Sequence, residues 1–407
     1  MQNTGTTTTV AGNKSLFPKP RRASPRSMSI AAIIGVFLIL VPVPQMLAQA
    51  GIVHLPFPQL YNQAFINAAA DTGAFVLLAL GLNIVVGYAG LLDLGYAAFF
   101  AIGTYSYAIL ASSYKNIHIP FWLMLIIAPI ITAGFGILFG APTLRLRGDY
   151  LAIVTLGFGE IVPIFILNLD WLTSGTNGIS GVDRPHIGDF EIGAKNDNIA
   201  FYYLVLMLVS LLIFIINRLR DSRIGRAWMA IREDELAAAT MGINTTTSKL
   251  MAFAMGAAVS GFAGCFYGAH LAFASPQQFN FSQSVLILCM VILGGMGNMW
   301  GVILGAVIIY MLQTFVLIQG STWLNALGKA INFDWLATIN LQDYTYFIYG
   351  LILVLFMLFR PEGLLPSARR REELHPESTL VSEQETQGLY DVREAGQASP
   401  DVKGGGD

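Results

Sequence analysis

Residues 249–274 read KLMAFAMGAAVSGFAGCFYGAHLAFA, 26 residues with one formal charge, Lys249, at the edge. A helix of that length rises about 1.5 Å per residue, enough to cross a hydrocarbon layer of roughly 30 Å. Gly256, Ser260, Gly264 and Gly268 recur every fourth position, which places small residues along one helix face. Lipid tails are as apolar as leucine, so membrane helices associate by close packing of such residues. The stretch therefore reads as a membrane helix with a packing seam, and such a seam can also slide during gating. Gly297, Gly301 and Gly305 repeat the spacing further along.

The same reading extends outward. Candidate spans lie at 29–49, 65–86, 91–111, 121–139, 150–169, 200–217, 249–274, 282–296, 301–319 and 344–359. The expected fold class is an all-α membrane protein, a polytopic bundle of about 10 transmembrane helices. Of the 407 residues 55% are hydrophobic and 12% charged, with mean hydropathy +0.60. A soluble chain carries about 25% charged residues, so the polar coat of a soluble surface is missing. Net charge is −2, which gives no basic field for nucleic acid. Cys265 and Cys289 lie in apolar runs and read as small packing residues. The histidines 54, 118, 186, 270 and 375 lack metal-ligand spacing, so no metal site is expected.

Two spans are joined only by Gly87 to Gly90, and the span at 282–296 is short. Broken or re-entrant backbone is tolerated in a membrane only where protein or water covers it. The glycine-rich segments Gly87 through Gly95 and Gly294-Gly295-Met296-Gly297 through Gly301 lie in opposite halves of the chain. Interrupted segments in both halves point to an internal repeat and a pathway near the midplane.

Basic residues in short loops set orientation. Lys14 to Arg26, Arg145 with Arg147, Arg218 to Arg232, and Arg360 to Arg371 all fall on one side, the cytoplasm. The expected organisation is a disordered cytoplasmic tail at 1–28, a transmembrane domain at 29–360, and a largely disordered cytoplasmic tail at 361–407. Periplasmic loops are expected at 170–199 and 320–343, and a long cytoplasmic loop at 218–248. A rival reading makes the front a cleavable signal peptide ending at Ala48-Gln49-Ala50; a retained anchor explains the run equally well.

Ionisable residues inside spans are functional by default. Asp93 and Glu160 are the clear ones, and Asp71 sits near a span end. The bland alternative is a carboxylate capping a broken helix. Residues 226–242 read as one helix rich in Ala, Glu, Arg, Leu and Met, with Gly242 as the stop and Thr247 or Ser248 able to cap the next span. The consecutive charges Arg232, Glu233, Asp234 and Glu235 wrap around that helix, so it belongs at the membrane surface. Docking of a soluble partner is expected to cover Trp228, Ile231 and Leu236, with Glu235 as the polar contact.

Arg147-Gly-Asp149-Tyr-Leu-Ala-Ile-Val-Thr155-Leu-Gly157-Phe-Gly-Glu160 resembles the signature of branched-chain amino acid ABC transporter permeases, and more closely the M-type subunit of the LIV family. Residues 173–179, 230–238, 293–298 and 87–105 extend the likeness, which spans about 67–361. It implies a bacterial inner-membrane importer subunit with both termini cytoplasmic, carrying branched-chain amino acids by alternating access. It also implies a homologous H-type permease partner, two cytoplasmic ABC ATPases, a periplasmic amino-acid-binding protein and surrounding membrane lipid. The ATPase contact would comprise Trp228, Ile231, Arg232, Glu233, Asp234, Glu235, Leu236, Ala238 and Gly242. The pathway would involve Asp93, Gly95, Asp149, Thr155, Gly157, Glu160, Gly294, Gly295 and Gly297. The sequence departs from the ABC pattern at Leu236, which stands where a Glu is usual.

No phosphate-binding Gly-x-x-x-x-Gly-Lys-Ser/Thr is present, so ATP hydrolysis must come from another chain; the subunit is expected to be no enzyme and to need no cofactor. A urea or short-amide permease of the same family, an ion-coupled secondary transporter and a membrane scaffold are the alternatives.

Overall fold

A computed structural model describes residues 63–143, 146, 148–188, 190–193, 198–331, 340–360 and 363–365. The candidate span at 29–49, the tails at 1–28 and 366–407, and the orientation markers Arg145 and Arg147 lie outside the described residues.

The described chain is built of helices. They are α1 (Gln63–Leu82), α2 (Tyr96–Leu110), α3 (Phe121–Thr143), α4 (Asp149–Asn168) and α5 (Ile199–Arg220). Then come α6 (Arg223–Glu233), α7 (Glu235–Thr240), α8 (Thr245–Leu271), α9 (Phe281–Gly294), α10 (Met299–Met311), α11 (Leu317–Ile331) and α12 (Thr345–Phe359). Among the described residues six helical segments are long and apolar enough to cross a membrane, and α2, α9 and α10 are shorter apolar helices. This is an all-α polytopic membrane protein.

The opening stretch is the hub. α8 packs along α3, α2 and α1, and its glycines do the work the spacing implied. A Cβ on Gly264 would stand 2.6 Å from the Thr104 amide of α2, and one on Gly256 2.5 Å from Val85 Cγ2 beyond α1. Gly261, off the seam, faces Pro129 and Thr132 of α3. Buried aromatics fill the wider gaps: Phe75 stacks on Tyr310 with centroids 4.6 Å apart, and Phe100 meets Phe279 edge-on at 5.1 Å.

Both ends of the bundle are built from short pieces. At one end two-residue strands pair antiparallel: β1 (Ala111–Ser112) with β2 (Ile117–His118), and β3 (Ile179–Ser180) with β6 (Phe273–Ala274). β4 (His186–Ile187) with β5 (Phe190–Glu191) forms the third pair. At the other end, residues 363–365 close on the α9–α10 hairpin. The Leu364 and Leu365 amides donate to the Leu293 and Gly294 carbonyls at 2.9 and 3.2 Å, and Asn298 Nδ2 donates to the Leu365 carbonyl at 2.9 Å.

The structure corrects several boundaries. The span expected at 91–111 starts only at Tyr96, because α1 ends in a π turn (Asn83–Tyr88) and an irregular segment follows. The region 320–343, expected as a loop, holds most of α11; its polar residues mask the stripe Trp323, Leu327 and Ile331 from a hydropathy reading. Asn244, rather than Thr247 or Ser248, caps α8, its side chain accepting from the Thr247 amide at 3.1 Å. The single helix expected over 226–242 is two: Asp234 adopts an extended conformation and its Oδ1 accepts from the Leu236 and Ala237 amides at 2.8 and 3.0 Å. An N-cap carboxylate there satisfies the orphan donors of α7 and ends α6.

Candidate functional site: a glycine junction and a surface element

The two glycine-rich segments, far apart in sequence, meet. Asn83 lies in the π turn of α1 and is fully buried. Its Oδ1 accepts from the Gly297 amide at 2.9 Å, and its Nδ2 is buried without a partner among the described residues. Gly295 (φ +110°) and Gly297 (φ +84°) turn the chain between α9 and α10 in a conformation that a side chain rarely adopts. Gly294 abuts Gly301 so closely that a Cβ on it would stand 2.7 Å from Val302 Cα.

From Gly90 (φ +71°) the chain runs irregularly to α2. Asp93 is buried; its Oδ1 accepts from the Gly95 amide at 2.9 Å, while its Oδ2 has no hydrogen-bond partner among the described residues. The Leu94 amide donates to Thr155 Oγ1 at 3.0 Å, and that hydroxyl donates to the Ala152 carbonyl at 3.0 Å. Gly95 lies against the Thr155 carbonyl and Gly159 of α4, where any Cβ would collide. Asp93, Gly95, Thr155 and Phe158 border a space of about 10 Å³, room for one water. Asp93 thus closes the broken segment through its Oδ1.

α4 turns its other side outward. Tyr150, Ile153, Ile161, Ile164 and Phe165 are exposed, and Glu160 is exposed among them. No described residue pairs with the Glu160 carboxylate. A carboxylate in lipid is costly, so this face calls for water or a second polypeptide. Gly157 is half-buried with open space where a side chain would point. Asp149 is the exposed first residue of α4, where negative charge suits the helix dipole. Beside this face α2, α3 and α4 enclose an apolar groove of about 350 Å³ lined by Ile102, Phe135, Phe165 and others. Almost no polar atom lines it, so it offers nothing to the charged ends of an amino acid.

The surface element α6–α7 has two faces. Trp228 is fully buried, and its Nε1 donates to the Ser248 carbonyl at 2.7 Å. Ile231 and Ala238 are buried too. Lys249, itself buried, pairs with Glu235 at 2.6 Å. The expectation that a partner covers Trp228 and Ile231 is therefore wrong: the chain covers them itself, because a short amphipathic helix at a bundle end buries its apolar side on the bundle. Glu235, expected as the polar contact, is part-exposed and its carboxylate pairs with Lys249. The outward residues are Leu236, 73% exposed, and Met241, 84% exposed, flanked by the exposed Glu233 and Asp234. Gly242 (φ +86°) ends the element, and the Ile243 amide closes back on the Ala238 carbonyl at 3.1 Å. Arg232 reaches inward, its Nη1 donating to the Gly87 carbonyl of the π turn.

Sequence reasoning missed Asn83, Lys249 and Met241. Asn83 stands alone in an apolar run and Met241 directly precedes the stop glycine; both signals were readable. It also left Asp71 and His270 unassigned, and they pair at 3.0 Å between α1 and α8.

Residues 64–357 match the family model described as branched-chain amino acid transport system / permease component. The chain is 39% identical over 343 residues to the high-affinity branched-chain amino acid transport system permease protein LivM of Escherichia coli, covering 79% of this chain and 75% of the relative. It is 26% identical to a probable branched-chain amino acid transport permease protein LivM of Methanocaldococcus jannaschii, covering 72% and 91%. It is also 23% identical to the LivH permease protein of Escherichia coli, covering 75% and 95%. No solved structure matches.

Proposed function

Since the chain belongs to the branched-chain amino acid transport permease family, we propose that it is the M-type membrane subunit of an ATP-driven importer of branched-chain amino acids. In this reading it pairs with an H-type permease in the bacterial inner membrane, with both termini and the α6–α7 element in the cytoplasm. Two ABC ATPases supply the energy, and a periplasmic binding protein delivers leucine, isoleucine or valine. The chain itself supplies helices, seams and a docking knob, and no hydrolytic chemistry.

The observation that carries this is the two-sided α6–α7 element. Its inner face is fastened to α8 through Trp228 and the Glu235–Lys249 pair, while Leu236 and Met241 project from it. An exposed apolar pair flanked by charges is the division found at protein interfaces, apolar centre and polar rim. A knob fastened in this way transmits a push rather than yielding to it. The outward Glu160 face of α4 supports a second chain lining the route, because a lone carboxylate needs polar company. Alternating access then requires ATP states that bind the two gate conformations with different affinity.

The test is reconstitution in proteoliposomes with the H-type permease, the ATPases and the binding protein. ATP-dependent uptake of labelled leucine is expected, and Leu236→Asp is expected to release the ATPases without lowering permease levels. Uptake by this chain alone, driven by an ion gradient, would sink the reading.

A further inference from the structure

We propose that Arg232 is a positioning residue that ties the surface element to the glycine junction, so that displacement of α6 is delivered to the turn of α4 just before Glu160. The inference rests on the importer reading above and names the internal route that reading needs.

α6 and α7 are fastened to the start of α8 by Trp228 and Lys249. From this element Arg232 reaches α1, donating to the Gly87 carbonyl. The acceptor lies in the π turn, where the α-helical ladder is broken and carbonyls lose their usual partners. A guanidinium at the C-terminal end of a helix also complements its dipole. The contact is close packed as well as polar: a Cβ on Gly90 would come within 2.8 Å of Arg232 Cγ. Gly90 is glycine for two reasons, its φ of +71° and the arginine lying over it.

The route continues without a gap. The Leu91 amide donates to the Val85 carbonyl at 3.0 Å, tying the irregular segment to the π turn. Three residues on, the Leu94 amide holds Thr155 Oγ1, and Gly95 lies against Gly159. Thr155 and Gly159 bracket one turn of α4, and Glu160 is the next residue. Beyond the Arg232 side chain, the route runs through backbone atoms and the short Thr155 side chain. The same π turn holds Gly297 through Asn83, so the α9–α10 corner moves with it.

The full transporter in proteoliposomes provides the experiment, with Tyr150→Cys, 72% exposed at the start of α4, as a reporter. Cys265 and Cys289 are buried, which keeps background labelling low. With Arg232 intact, the maleimide labelling rate at position 150 is expected to change when a non-hydrolysable ATP analogue is added. Arg232→Ala is expected to erase that change and to lower leucine taken up per ATP hydrolysed by about tenfold, the scale of one lost hydrogen bond to a charged group. Arg232→Lys keeps a cationic donor without the planar fork and is expected to restore part of both signals. If Arg232→Ala keeps the nucleotide-dependent labelling, the proposal is overturned. If both variants fail to assemble with the ATPases, Arg232 is a folding residue and the proposal is equally overturned. Absence of uptake with Arg232 intact would instead strike the importer reading, which separates the two failures.

Discussion

Gly157 and Gly159 stand two residues apart on α4, and only one of them is used for packing. A Cβ on Gly159 would stand 2.9 Å from the Cα of Gly95, whereas one on Gly157 meets nothing within 4 Å. The same split divides their polar neighbours: Thr155 is buried and bonded on both sides, while Glu160 is exposed and pairs with no described residue. One face of the helix is finished within this chain and the other is left for something else. In a membrane that difference is informative, because an unfinished apolar face can meet lipid but an unfinished carboxylate cannot do so cheaply.

The sharpest way to break the comparison is Gly95→Ala, at the finished face. The new methyl collides with the Thr155 carbonyl, backbone that cannot swing aside, so a loss of roughly 3 kcal/mol or failure to accumulate is expected. Thermal unfolding of the detergent-solubilised protein measures it, and a wild-type melting curve would mean the two segments are not in contact. Next comes Asn83→Ala, which removes the acceptor of the buried Gly297 amide. The expected cost is about 1–3 kcal/mol, read in the same assay. At the unfinished face the order of effects reverses. Glu160→Gln is expected to leave the melting temperature unchanged and to slow leucine uptake by about tenfold, since the charge and not the packing is removed. Uptake at the wild-type rate with intact assembly would reduce Glu160 to a tolerated surface carboxylate. Gly157→Ala is the smallest, within about 0.5 kcal/mol in stability, as for surface positions generally. A large stability loss there in the isolated subunit would place an unseen contact on that face.

These contrasts also mark how far the sequence could be read. Length and hydropathy place α1, α3, α4, α5, α8 and α12 where the structure has them, because crossing a membrane is a property of each segment alone. The four-residue glycine spacing of α8 announced a seam for the same reason. Which helix that seam meets, and that Asn83 finds Gly297 across 214 residues, depends on tertiary geometry that periodicity does not encode. The glycine breaks were legible as breaks, while their meeting was not. The outward and inward sides of α6 were misassigned because amphipathicity shows that a helix has an apolar side without saying which body covers it. Asp234 was hidden inside a charge run, where its capping role looked like one more solvated acid.

The closure of residues 363–365 on the α9–α10 hairpin also sets an order of events during synthesis. The carbonyls of Leu293 and Gly294 leave the ribosome about 70 residues before the amides that bind them. At ~5–20 residues per second, that corner waits several seconds with its acceptors open. For that interval the corner lacks its last lid and rests on earlier contacts, among them the Asn83–Gly297 bond and the Phe75–Tyr310 stack, so a ribosome pausing between α10 and α12 would expose its acceptors longest.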